Sequence, residues 1–391
     1  MPDFLQEAEE LFQYSQGLRR DFHIHPELGF QEVRTAGIVA RELSQLGMEV
    51  TTGVAKTGVI GLLEGEKPGP VILLRFDMDA LPIVEDTGAE YASQNSGVMH
   101  ACGHDAHVST GLTVARLLHK YRAELPGTVK FMFQPAEEGL GGASGMMDEG
   151  LLENPAPVKA LSLHVWNDRP VGWIGCAPGP VMAGAGGFKL RLVGKGGHGA
   201  SPNQTLDPVT AGAQIVSAAQ NIISRNVSPL QSGVLSITMF HTGDAYNIIP
   251  QVAILGGTIR FFEPNVQKIL YERFEQVVHG VAQAMGVVAE LEMMPTLPAV
   301  VNNGEVAARV ADVARRVLPG ASVDTDYQTM GSEDMSLVLE KIPGCYFFVG
   351  SADPKVGSGY AHHHPKFDID ERALPKAAGL MASAAFDLLQ G

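Results

Sequence analysis

The sequence predicts an α/β fold: a mostly parallel sheet flanked by helices and interrupted by an inserted ferredoxin-like α+β unit. Three observations predict it. Short apolar runs alternate with helical segments through roughly the first 180 residues, as strands joined by crossover helices do. Val71–Arg75, Val129–Phe133, Leu161–Val165 and, much later, Cys345–Val349 are nearly continuously apolar, which suits strands covered on both faces. The middle of the chain has a different texture. Gly187–Val193, Gly233–Phe240, Val252–Phe262 and Val287–Met293 read as strands, the first two mixing apolar and polar residues as half-exposed strands do, while Pro208–Ser224 and Val266–Met285 carry helical periodicity. The order strand, helix, strand, strand, helix, strand is the ferredoxin-like unit. Finally, 391 residues exceed one small core. We therefore expect a discontinuous domain over 1–183 and 297–391, with 184–296 inserted between glycine- and proline-bearing joints. Helices are also expected at the acidic start of the chain, at about Val306–Val317 and near Pro375–Leu389.

Composition narrows the classes of function. The formal net charge is −15, so nothing here would release counterions from a nucleic-acid backbone. No apolar run reaches the roughly 18 to 20 residues that cross a bilayer, and the first ten residues lack the basic-then-apolar pattern of a secretory signal. Cys102, Cys176 and Cys345 form no short-spaced framework, which points to a reducing compartment and a cytoplasmic protein.

Reactive residues gather just after the strands, where open parallel sheets place their ligands. His100-Ala101-Cys102-Gly103-His104-Asp105-Ala106-His107 packs a thiol, three imidazoles and a carboxylate into eight residues. It reads as half of a metal site, because thiolate and imidazole hold borderline transition metals and the glycine permits a tight turn. Asp77 and Asp79 follow one strand, Glu137 and Glu138 follow another, His164 ends a third, and His362-His363-His364 lie in the loop beyond the fourth. Each has an ordinary reading: polar turns for the aspartates, a solvated acidic helix start for the glutamates, a core histidine, an exposed tract. Four strands delivering such groups to one edge make coincidence the weaker account. Of two adjacent carboxylates, one can bind a metal while the other takes a proton from water. Two divalent cations, less one thiolate, one glutamate and a hydroxide, leave a net positive centre suited to an anionic substrate with a polarisable amide.

These motifs together resemble the aminoacylase, hippurate hydrolase and auxin-conjugate hydrolase group of dinuclear metal amidohydrolases. The resemblance rests on His100–His107, Asp77–Pro82, Gln134–Gly139, Leu163-His164 and His363-His364-Pro365. It extends to Arg19–Phe30, Gly194–Ala200, Asn247–Pro250, Gly257–Arg260 and Gly331–Asp334, nearly the whole chain. It implies that Cys102, His104, Glu138, His164 and His363 hold two divalent ions, of manganese, zinc, cobalt or nickel, and that Glu137 is the general base. It further implies that Asp79 orients a ligand histidine, that His198 stabilises the developing oxyanion, and that Asn247 and Arg260 meet the substrate carboxylate. His362 and His364 are then supporting or surface residues. Gly199 and Phe76 depart from the group's usual residues and bear on pocket shape.

The expected activity is cleavage of an N-acyl amino acid, N-acetyl or N-benzoyl, by a metal-bridging hydroxide. The protein would act as a homodimer or larger homo-oligomer paired through the inserted domain, which also serves as a lid, with a small-molecule substrate and neither nucleic acid nor membrane as partner. A dipeptidase or carboxypeptidase on the same scaffold is the nearest rival, and a catalytically silent metal-dependent binding protein the more distant one.

Overall fold

Twelve strands carry the description of this computed structural model, which covers all residues except Met1, Pro354, Val356 and Gly357. In chain order they are β1 (Glu49–Val54), β2 (Gly58–Glu64), β3 (Lys67–Asp77), β4 (Pro126–Gln134), β5 (Lys159–Pro170) and β6 (Trp173–Gly175). Then follow β7 (Gly184–Val193), β8 (Gly233–His241), β9 (Val252–Phe261), β10 (Val288–Met293), β11 (Ser322–Asp324) and β12 (Gly344–Ala352). The helices used below are α1 (Phe12–Ile24), α2 (His104–Lys120), α3 (Pro208–Asn226), α4 (Pro264–Met285), α5 (Gly304–Val317) and α6 (Ala373–Leu389). Two compact units result: residues 1–181, 301–328 and 334–391, and residues 182–300 with 329–333.

The first unit holds an eight-stranded sheet in the order β1-β2-β4-β3-β5-β12-β6-β11. Its centre is parallel, as continuous apolarity predicts: β3 pairs with β4 and β5, and β5 with β12. The sequence reading missed the antiparallel β1–β2 hairpin and the antiparallel insertion of β6 beside β12. β1 is mostly exposed and polar, so it lacks the apolar run by which the central strands are recognised. Helices α2 and α6 pack on β3 and α5 on β12, burying Val108, Leu112, Leu74, Phe347, Val310 and Leu380 in one core. In register, Asp77 lies opposite Gln134, Ser162 opposite Arg75, and Trp166 opposite Gly350. β3 and β4 therefore end together at Asp77 and Gln134 while β5 and β12 run on to Pro170 and Ala352, and the reactive residues line that one edge of the sheet.

The second unit is a four-stranded antiparallel sheet in the order β8-β9-β7-β10. With α3 between β7 and β8 and α4 between β9 and β10, it is the ferredoxin-like arrangement. Asp207 caps α3 by accepting the Val209 N–H at 2.8 Å, with Pro208 at the first helical position. Phe188 and Phe274 meet with ring centroids 4.3 Å apart inside its core, beside Ile215 and Leu255.

The start of α2 is pinned by buried charge. Asp105, in its first turn, accepts from Arg19 Nε at 2.8 Å and lies 2.7 Å from His23 Nδ1, both on α1. Arg19 is fully buried and also pairs with Asp368 at 2.6 Å. A lone buried guanidinium would cost several kcal/mol, so this network holds together or fails as a set. Burial lowers the pKa of His23, as does Arg19, but Asp105 and Glu85 together outweigh them, and the result is about 9. Its folded value thus exceeds its unfolded value of about 6.5. The stability that protonated His23 contributes is therefore complete below about pH 6.5 and lost as pH rises through about 9, on the order of 3 kcal/mol in all. We expect the melting temperature of wild type to exceed that of His23→Gln most at about pH 6, with the advantage disappearing near pH 9 to 10. A pH-independent difference between the two would contradict the assignment.

Candidate metal centre

Gly103 sets the local geometry. Its φ is +87°, and an added Cβ would stand 2.5 Å from Val165 Cγ2, so only glycine permits this turn against β5. Cys102 and His104 flank it, His104 opening α2. Across the edge, Glu137 and Glu138 follow β4 directly after Ala136, itself at φ 52°. His164 lies in the middle of β5, just past the point where pairing with β3 stops, because the strand runs on beyond the apolar run that predicted it; His363 sits at φ 65°, its N–H donating to Ala101 O at 2.8 Å.

Hydrogen bonds decide which donor atoms remain available. His104 Nδ1 donates to the Asp79 backbone carbonyl at 2.8 Å, which in the neutral ring leaves the lone pair on Nε2, an atom buried without a hydrogen-bond partner among the described residues. His164 Nδ1 donates to Val165 O at 2.6 Å, and its Nε2 lies 3.4 Å from Cys102 Sγ. Asp79 Oδ2 accepts the Glu138 N–H at 3.0 Å, while Glu138 Oε1 is buried without a hydrogen bond, 3.2 Å from His363 Nε2. Asp79 thus touches both a histidine and a glutamate of the cluster. Donor atoms of Cys102, His104 and His164 lie within 4.8 Å of one another, as do those of Cys102, Glu138 and His363, and those of His104, Glu137 and Glu138. Cys102 belongs to two of these groups. Orphaned buried lone pairs beside a thiol fit a divalent transition metal, since each would otherwise carry an unmet desolvation cost.

Asp77, His104 and His107 are equally close. Two of these three are already committed. His107 Nδ1 donates to Asp77 Oδ1 at 2.5 Å and its Nε2 accepts the Val165 N–H at 3.0 Å, while Asp77 Oδ2 takes Arg75 Nη1 at 2.6 Å. Sequence reading placed Asp77 and His107 in motifs without giving them a role. Their signal was the i,i+3 spacing of His104 and His107, which puts both on one face of a helix.

Electrostatics agree with a missing positive charge. Burial, reinforced by Glu138, holds the Cys102 thiol well above its usual pKa, so its thiolate requires a nearby cation. Burial lowers His164, and neighbouring His107 and His362 add to that. Burial also lowers His104, but Asp77 and Cys102 outweigh it and leave the value well above normal. Asp77 is held low by His104, Arg75 and His107 despite its burial. His100, fully buried with neither ring nitrogen partnered, is pushed down to about 4 by burial and stays neutral.

His198, Asn247 and Arg260 belong to the second unit. His198 pairs with Ile248 in a short ladder, the Gly199 N–H donates to Asn247 O at 2.8 Å, and His198 Nδ1 accepts the Ala200 N–H at 3.1 Å. Its proton therefore sits on Nε2 when the ring is neutral. Arg260, on β9, is half-buried and donates Nη1 to Ile259 O at 3.0 Å and to Thr258 Oγ1. Burial lowers its pKa.

Comparison with known proteins places this geometry in a family. The model of peptidase family M20/M25/M40 matches residues 73–387. A putative amidohydrolase, YhaA of Bacillus subtilis (strain 168), is 43% identical over 369 residues, covering 94% of this chain and 93% of that protein. An N-acetylcysteine deacetylase of the same organism is 40% identical over 95% of this chain and 96% of its own length. The crystal structure of Bacillus subtilis YXEP, described as a dinuclear metal binding peptidase of the M20 family, superposes with a TM-score of 0.85 at 37% identity, covering 98% of this chain and 99% of that one.

Because Cys102 belongs to two donor groups and His363 to one, their substitutions should differ. Metal analysis of purified protein is expected to show Cys102→Ser losing more metal than His363→Asn. Full metal content in Cys102→Ser would remove the thiol from the centre.

Proposed function

The chain belongs to peptidase family M20/M25/M40, and we propose that it is a two-metal amidohydrolase cleaving N-acyl amino acids, of the N-acetyl or N-benzoyl kind, to a carboxylate and a free amino acid. Hydrolysis of an amide bond is the activity for which its relatives are named. The observation that carries the two-metal reading is the pair of orphaned atoms, His104 Nε2 and Glu138 Oε1, each within a cluster that also contains Cys102 or a second glutamate.

Cys102, His104, Glu138, His164 and His363 would hold the two ions, of manganese, zinc, cobalt or nickel, with Asp79 fixing the tautomer of His104. Bound there, divalent cations would acidify water and polarise the amide carbonyl. Glu137 would take the proton of the attacking water and return it to the leaving amine nitrogen. Glu138, engaged with a cation, leaves its neighbour as the available base. His198 would donate from Nε2 to the carbonyl oxygen as charge develops there. Asn247 and the half-buried guanidinium of Arg260 would receive the substrate carboxylate.

The segment 184–296 would serve as lid and subunit contact in a homodimer or larger homo-oligomer, in keeping with the exposed edge strand β8. Three free cysteines and the absence, among the described residues, of a helix long and apolar enough to cross a membrane accord with a cytoplasmic enzyme acting on a small molecule. A peptidase reading draws support from the description of YXEP. The two separate on whether a free α-amino group is required.

Release of amino acid from N-acetyl and N-benzoyl amino acids, alongside unblocked dipeptides, tests the assignment. Metal-dependent cleavage of the blocked substrates is expected, and cleavage of dipeptides alone would make the protein a peptidase. Glu137→Gln is expected to keep its metal and lose about 10²- to 10⁴-fold in kcat. Retained turnover would require another base.

A further inference from the structure

β5 stays beside β12 as far as Pro170, with a register shift after Trp166, but its pairing with β3 ends at Arg75 opposite Ser162. Beyond that point the peptide groups of Val165 meet side chains instead of a strand. Its N–H donates to His107 Nε2 at 3.0 Å, and its carbonyl accepts from His164 Nδ1 at 2.6 Å and from His362 Nε2 at 3.0 Å. Three histidines thus converge on the backbone of one residue, His107 on the peptide before Val165 and the other two on the peptide after it. His107 is fixed from behind by Asp77, and Asp77 by Arg75. His362 is fixed by packing between Trp166 and Phe367, with ring centroids 4.8 Å and 5.0 Å away.

Resting on the metal-centre reading above, we propose that His107 and His362 are positioning residues that act through the Val165 peptide to hold His164 with Nε2 toward Cys102 Sγ. Neither is a ligand. Both nitrogens of His107 are occupied, and His362 spends Nε2 on the carbonyl. The His362 contact also anchors the backbone next to His363, whose left-handed conformation at φ 65° is costly for a residue with a side chain. Without the two anchors, the Val165 N–H would lose its acceptor and the Val165 carbonyl one of its two donors, and the backbone that holds the ring of His164 would be less fixed.

Hydrogen bond and packing can be separated at His362. His362→Phe keeps a ring between Trp166 and Phe367 but removes the donor, whereas His362→Gln keeps a donor for Val165 O and removes the ring. Chelator-stripped full-length protein would be titrated with cobalt(II), reading the thiolate-to-cobalt absorption and the visible ligand-field bands, with melting of the metal-free protein as a control on folding. His362→Phe is expected to weaken cobalt binding about 10- to 100-fold and to shift the ligand-field bands, with the thiolate band still reached at saturation. His362→Gln is expected to recover most of the affinity. At His107, Leu should weaken binding likewise and Gln, which can accept the Val165 N–H, should restore it; if the buried leucine prevents folding, the His362 pair decides. Wild-type affinity and spectrum in His362→Phe, or a loss in His362→Gln as large as in His362→Phe, would overturn the proposal. Failure of the wild-type chain to bind cobalt would overturn the metal-centre reading and this inference with it, and is distinguishable because it appears in the parent protein.

Discussion

The hydrogen bond from His104 Nδ1 to the Asp79 carbonyl, at 2.8 Å, is the constraint on which the site depends. It joins the turn after β3 to the first residue of α2, and it settles the tautomer of the ring. A backbone carbonyl can only accept, so a proton must lie on Nδ1 and, in the neutral ring, the lone pair on Nε2. That atom lies in a buried space where none of the described residues donates to it. The same short turn supplies Asp79 Oδ2 to the Glu138 N–H, so one residue aligns two of the candidate ligands.

Charge buried around the centre follows the same logic. Arg75, fully buried near the carboxyl end of β3, is offset by Asp77 at 2.6 Å and by Asp334, and donates Nε to Gln134 Oε1. Arg19 is offset by Asp105 and Asp368. Replacing a whole network by apolar residues of similar volume need not destabilise the protein, whereas removing one member, the arginine included, leaves buried charge uncompensated. What these networks provide is direction. Arg75 fixes Asp77, Asp77 fixes His107, and Arg19 with His23 fixes the first turn of α2 from the opposite side. Ligand geometry is thereby set by groups that do not themselves touch the proposed cations.

Much of this was legible in the residues. Apolar runs located β3, β4, β5 and β12 because their central portions are buried on both faces, and the position of reactive groups just after those runs followed from sheet geometry. The second unit was legible because its strands and helices keep distinct periods. Strands β1 and β6 were not, since one is largely exposed and polar and the other is only three residues long. The parts of the site that sequence could not supply are hydrogen bonds to backbone. The contact of His104 with Asp79 O, and of His362 and His107 with the Val165 peptide, depend on where β3 stops pairing with β5, and side-chain identity does not encode that register end. Side chain alone left His107 and His164 indistinguishable; only the direction of their ring nitrogens separates them.

X-ray absorption at the metal edge of zinc-loaded wild-type protein, combined with anomalous diffraction from the same preparation, tests the central claim most directly. The account predicts two cations per chain, a sulfur scatterer from Cys102 at about 2.3 Å, and density against His104 Nε2 with none against His107. A single cation, a shell without sulfur, or an ion seated between Asp77 and His107 would contradict it.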